Sequence, residues 1–271
     1  EDSDGTGPTN NSSLSSGAAY ILERNGSGVW SKTAYLKASN IVASDYFGFS
    51  VSINGNYAII GAYKEAYGED DSGAAYVFER NGSGVWAQTA YLKSSNVDAN
   101  DYFGWSVAIH GDYAIIGAKW EDSNNISDQT NNTYAYSGAA YIFERNVSGV
   151  WSQTAYLKAS NIDETDQFGI SVAIHGDYAI VGAFGEDSNS ILDQTNNSLG
   201  GTGAAYIFER NGSGVWSQTA YLKASNVGPY DYFGWSVSIH GDYAIVGARQ
   251  EDSNSISDQT NNSSVDSGAA Y

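Results

Sequence analysis

Residues 102–118 read YFGWSVAIHGDYAIIGA. Two runs with a period of two and no helical spacing flank His110-Gly111-Asp112, so they read as the strands of a tight antiparallel hairpin. The stretch recurs as YFGFSVSINGNYAIIGA from Tyr46, QFGISVAIHGDYAIVGA from Gln167 and YFGWSVSIHGDYAIVGA from Tyr232. An acidic, Asn/Ser-rich loop follows each hairpin, for example EDSNSISDQTNN from Glu251. A third strand, GAAYIFER at Gly203–Arg210, and the turn Asn211-Gly212-Ser213-Gly214 lead into a fourth, VWSQTAYLKA from Val215.

The third-strand opening, SGAAY or TGAAY, starts at 16, 72, 137, 202 and 267, a spacing of 56 followed by three of 65. One unit is therefore a four-stranded antiparallel meander, and the chain is an all-β repeat array that starts and ends in mid-unit. In the first strand Phe233, Trp235, Val237 and Ile239 are expected on one face, with Gly234, Ser236 and Ser238 on the other. In the fourth, Trp216, Gln218, Ala220 and Leu222 are expected to alternate with Val215, Ser217, Thr219 and Tyr221. Bulk on both faces points to sheets packed face to face around an axis, small-residue Phe-Gly strands innermost and Trp strands outermost. A β-solenoid, the competing architecture, has shorter rungs than this unit.

The formal charge is −19, from 31 acidic and 12 basic side chains. Such a surface repels nucleic acid and anionic lipid and favours divalent cations. Aromatic content of 14% and hydrophobic content of 41% are enough for a packed core. Cysteine is absent, so disulfides and thiolate metal sites are excluded. No apolar run approaches the roughly 18 residues of a helical membrane span, and no signal peptide is visible. Methionine is absent even at position 1, as expected of a processed product or a window on a longer chain.

Phe-Gly followed by Gly-Ala resembles the FG-GAP repeat of integrin α-subunit propellers and of many bacterial and algal surface proteins. The pairs are Phe47-Gly48 with Gly61-Ala62, Phe103-Gly104 with Gly117-Ala118, Phe168-Gly169 with Gly182-Ala183, and Phe233-Gly234 with Gly247-Ala248. The resemblance implies β-propeller blades, in a ring or assembly of about seven. The motif's proline is replaced by Tyr63, Lys119, Phe184 and Arg249. The family's acidic calcium loop between the first two strands is absent, so its site carries over to no residue here.

His110, His175 and His240, matched by Asn54 in the first copy, read as hydrogen-bonding turn residues. Asp45, Asp101, Asp166 and Asp231, two residues before each Phe-Gly, are expected to accept backbone N–H bonds between blades. No nucleophile has a fixed histidine and carboxylate partner, so no enzyme is expected. Glu121, Asp122 and Asp128, Glu186, Asp187 and Asp193, and Glu251, Asp252 and Asp258 repeat one spacing among Asn and Ser oxygens, a candidate calcium set. Asn-x-Ser/Thr occurs at Asn10, Asn11, Asn25, Asn81, Asn125, Asn131, Asn146, Asn196, Asn211, Asn261 and Asn262. Asn81-Gly82-Ser83 becomes Asn146-Val147-Ser148, which keeps the sequon while losing the turn glycine. N-glycosylation is therefore expected at Asn25, Asn81, Asn146 and Asn211 on one face and at Asn131, Asn196 and Asn261 on the other.

The function expected is a non-enzymatic extracellular or cell-surface module with a structural or adhesive role, partnered by further blades or by other copies of itself. The alternative is a carbohydrate-binding lectin that stacks sugars on Trp30, Trp86, Trp151 and Trp216, although packing between blades is the better reading of those residues.

Overall fold

The computed structural model describes residues 1–3, 12–66, 69–253, 255 and 263–271. Asn10, Asn11, Asp258, Asn261 and Asn262 lie outside the described residues.

Strands β1 (Ala19–Arg24) and β2 (Trp30–Leu36) form a two-stranded sheet. Three four-stranded sheets follow. Blade A holds β3 (Ser50–Asn54), β4 (Tyr57–Ala62), β5 (Ala74–Arg80) and β6 (Trp86–Leu92). Blade B holds β7 (Phe103–His110), β8 (Tyr113–Ala118), β9 (Ala139–Arg145) and β10 (Trp151–Leu157). Blade C holds β11 (Ser171–His175), β12 (Tyr178–Ala183), β13 (Ala204–Arg210) and β14 (Trp216–Leu222). A last sheet holds β15 (Phe233–His240), β16 (Tyr243–Ala248) and β17 (Ala269–Ala270). Every named pairing is antiparallel between sequence neighbours, so each sheet is a meander.

These are β-propeller blades in an open row, because among the described residues the first and last sheets do not pair with each other. Each blade is apolar on both faces. Ile115, Ala140 and Ile142 of blade B pack with Phe168, Val172 and Val181 of blade C, while Ile116, Tyr141 and Phe143 on its other face pack with Ile59 and Val77 of blade A.

The repeated glycines are where neighbouring backbones meet. Gly117 has ordinary φ, yet a Cβ there would lie 2.0 Å from the Gly169 carbonyl oxygen of the next blade. That carbonyl accepts the Ser106 hydroxyl at 2.8 Å, and Ser50 and Ser171 repeat the bond to Gly104 and Gly234. Phe-Gly and Gly-Ala are thus two halves of one contact between inner strands.

Two expected strand faces are corrected. The pairing slips between Phe233 and Ser236, and equally between Phe103 and Ser106. Tyr102 and Gly104 both have positive φ, 58° and 88°, and the Trp105 N–H donates to the Tyr102 carbonyl. This turn leaves Phe103 in the core with Val107 and Ile109 but carries Trp105 out of it. In the fourth strand the register slips around Thr219, so Trp216, Gln218 and Tyr221 oppose Arg210, Phe208 and Tyr206 on one face. Ala220 and Leu222 fall on the other face because the bulge inserts one residue.

Candidate functional site

The acidic loops begin inside the protein. Glu121 and Lys158 are almost wholly buried, with Lys158 Nζ 3.0 Å from Glu121 Oε2. Tyr156 and Asn96 donate to Glu121 Oε1, and Lys158 also donates to Ser137 Oγ and the Gly138 carbonyl. Burial lowers the Lys158 pKa and the Glu121 charge opposes that shift. Glu65 with Lys93 and Glu186 with Lys223 repeat the pair, and Asn226 donates to Glu251. This pair, which ties the start of each acidic loop to the end of a fourth strand, was missed in the sequence. Its signal was a lysine kept at 37, 93, 158 and 223, directly after the Ala-Tyr-Leu that ends each fourth strand.

Among the described residues, the acids picked out for calcium are not gathered into one site. Asp122, Asp187 and Asp252 accept the backbone N–H of Tyr136, Gly201 and Asp266. Asp128 and Asp193 each close a turn with the following Thr130 or Thr195. Glu121, Glu186 and Glu251 point inward, and among the described residues no three His, Asp or Glu side chains converge as a metal site. The Asp before Phe-Gly accepts a backbone N–H in three copies, from Val42 to Asp45, Asp163 to Asp166 and Gly228 to Asp231. Burial raises these carboxyls to about 6, 8 and 6.

At the opposite end of each blade the two hairpin turns meet, as when the Arg145 N–H donates to the Asp112 carbonyl. Asn25, Asn81, Asn146 and Asn211 are exposed, and each Oδ1 accepts two backbone N–H bonds inside its turn. The cap explains the asparagine. Gly26 and Gly82 have open space around them, which is why Val147 is tolerated at the same position. Ser27, Ser83, Ser148 and Ser213 are exposed, and among the hydrogen bonds of the described residues none uses their hydroxyls. Asn131 and Asn196 are half-buried, and Asn196 Nδ2 is engaged by Asn189.

The histidines form a ladder along the inner turns. The His110 and His175 rings are 4.3 Å apart, and His175 and His240 are 4.2 Å apart. His110 Nδ1 accepts the Gly176 N–H, His175 Nδ1 accepts the Gly241 N–H, and Asn54 Oδ1 accepts the Gly111 N–H. Each turn is thereby tied to the next blade.

Trp151 and Trp216 are only 8% exposed, which makes them packing residues. Another aromatic surface lies on the loop side, built from the residues that the first-strand turn throws out of the core. Phe49 and Tyr63 of blade A contact Trp105 of blade B at 4.6 and 5.0 Å, and Tyr102 stacks on Trp120 at 4.3 Å. Lys119 Nζ lies 3.2 Å from the Trp105 ring centre and 4.9 Å from that of Trp120. Phe184, Tyr232 and Trp235 repeat the group, with the Arg249 guanidinium 4.3 Å from Trp235. Tyr46, Tyr102, Gln167 and Tyr232 all have φ between 54° and 58°, strain that a bulky residue holds only where the surroundings impose it. Flat aromatic faces beside cations can stack rings and attract anions.

No curated protein matches the chain. The structure is similar to that of a protein from Lactobacillus plantarum, with a TM-score of 0.51 at 11% identity. The match covers 89% of this chain and 60% of that one, and it concerns the fold alone. The FG-GAP repeat matches at residues 30–78, 86–143, 151–208 and 216–271, each span running from a fourth strand into the third strand of the next unit. With paired glycines at the three junctions from blade A to the last sheet, the chain belongs to the FG-GAP repeat family.

Proposed function

We propose that this protein is a non-enzymatic, extracellular or cell-surface module with a structural or adhesive role, N-glycosylated on its hairpin-turn face. The observation that carries the reading is the serine two residues after each turn asparagine. The fold uses the asparagine as a cap, but it gives the hydroxyls of Ser27, Ser83, Ser148 and Ser213 no hydrogen bond among the described residues. Their retention through all four copies, including the one with Val147, fits a glycosylation sequon. Asn25, Asn81, Asn146 and Asn211 are the acceptors by exposure; Asn131 and Asn196 are weaker ones because they are half-buried. The test is peptide mapping of the natural material together with its localisation. Glycan on the four turn asparagines of a secreted or surface-bound protein is the expected result. Unmodified asparagines in a cytosolic protein would end the reading.

A second reading, carbohydrate binding, is favoured by the aromatic surface around Trp105 and Trp235 rather than by the buried Trp151 and Trp216.

A further inference from the structure

We infer that Lys119, with Trp105 and the exposed Phe49, binds an acidic saccharide, a sugar ring bearing a carboxylate or sulfate. The inference rests on the carbohydrate reading and adds the charge of the ligand and the residue that selects it.

In a protein of net charge −19 a lysine finds a carboxylate easily, and Lys64, Lys93, Lys158 and Lys223 each do, at 2.6–3.0 Å. Lys119 is 8% exposed and, among the described residues, has neither a hydrogen bond nor an ion pair. It keeps only the faces of Trp105 and Trp120. Burial holds its ammonium down at about 8, with no neighbouring charge offsetting the loss of water. Such a cation is costly to keep unless an anion completes it.

The surroundings specify what carries that anion. Phe49 is 46% exposed and lies 4.6 Å from Trp105, so a flat apolar surface adjoins the ammonium. A pyranose offers both matching parts, C–H groups for the rings and a carboxylate or sulfate for Nζ. The arrangement recurs two blades on, where Arg249 lies over Trp235 and has no ion pair among the described residues. Two such sites on one face suit an oligomeric anion. Remote acids do not prevent this, because at physiological salt they are screened beyond about 8 Å.

The experiment is calorimetric titration of the folded protein with oligogalacturonate, a sulfated oligosaccharide, neutral cello-oligosaccharide and oligoglutamate. Binding of either acidic saccharide, at least tenfold tighter than of the neutral one, is expected. Lys119→Gln should weaken it at least tenfold while leaving the melting temperature equal or higher, since the substitution removes an unpaired charge. Phe49→Ser, a surface change, should weaken it without unfolding. Affinity should fall as pH rises through about 8, where Lys119 loses its charge. The two acidic arms distinguish carboxylate from sulfate. No binding of either, binding indifferent to Lys119→Gln, or equal binding of oligoglutamate would overturn the inference. Neutral and acidic saccharides binding alike, both lost in Phe49→Ser, would overturn it while leaving the carbohydrate reading intact.

Discussion

Gly117 and Gly82 show how differently one residue type is used. A Cβ on Gly117 would meet the Gly169 carbonyl at 2.0 Å, and that carbonyl is held by Ser106 and cannot retreat. Gly82 has ordinary φ and nothing nearby. Gly117→Ala should therefore cost about 3 kcal/mol or more, as forced overpacking does, whereas Gly82→Ala should change stability by less than about 0.5 kcal/mol. Denaturant melts of the two variants check this, and equal costs would mean that the blades do not meet at that carbonyl. Val147 in place of a turn glycine is the same argument already made by the sequence.

Within one blade the buried Glu121–Lys158 pair gives a sharper test. Removing one partner leaves an unpaired buried charge, so Glu121→Gln or Lys158→Met should cost about 3–5 kcal/mol. Changing both to Met should cost less than the sum by more than about 1 kcal/mol, a coupling read from a double-mutant cycle. Strict additivity would mean that the pair is not formed.

The histidine ladder makes the inner turns sensitive to pH. Burial, then the charges that His175 and His240 would carry, lower the His110 pKa, so the folded state prefers it neutral. The neighbouring charges are largely spoken for, Asp112 by Arg145 and Asp177 by Arg210, while Asp242 is the third turn acid. Protonation of His110 also puts a hydrogen on Nδ1 and so removes the acceptor used by Gly176. For a lowered pKa the stabilisation is present above the ordinary histidine value of about 6.5 and is lost as pH falls below it. Each lost bond is worth about 1 kcal/mol. Replacing His110 with Asn, the residue that makes the same bond at Asn54, should make the protein less acid-sensitive than the parent between pH 7 and 5, the opposing gain from the raised Asp45, Asp166 and Asp231 carboxyls being common to both. A variant as acid-sensitive as the parent would contradict the ladder.

Repeat length, strand order and the Phe-Gly to Gly-Ala pairing were legible because each leaves a period in the sequence. The bulges were not. A slip of one residue at Thr219 reverses the faces after it, and the Tyr102–Trp105 turn with its positive φ carries Trp105 out while leaving Val107 and Ile109 in the core with Phe103, in neither case with a change of composition. The aromatic surface was hidden for that reason, since Trp105 looks like a core residue until the turn carries it out. The inward partner of Glu121 was not legible either, because Lys158 lies 37 residues away, where only packing brings them together.

Over the whole molecule, the row of blades leaves an apolar face exposed at both ends. Val51 and Ile53 are 62% and 57% exposed, whereas their counterparts Val107 and Ile109 are 8% and 4% exposed. At the far end Ile245 is 54% exposed where Ile180 is fully buried. The first sheet supplies only third and fourth strands, and the last supplies first and second strands plus the start of a third. We propose that a second copy of the chain covers these exposed apolar faces. Sedimentation of the 271-residue chain over a range of concentrations tests this most directly. The account predicts concentration-dependent association that Val51→Glu with Ile245→Glu abolishes, whereas a soluble monomer at every concentration, with both apolar faces left bare, would contradict it.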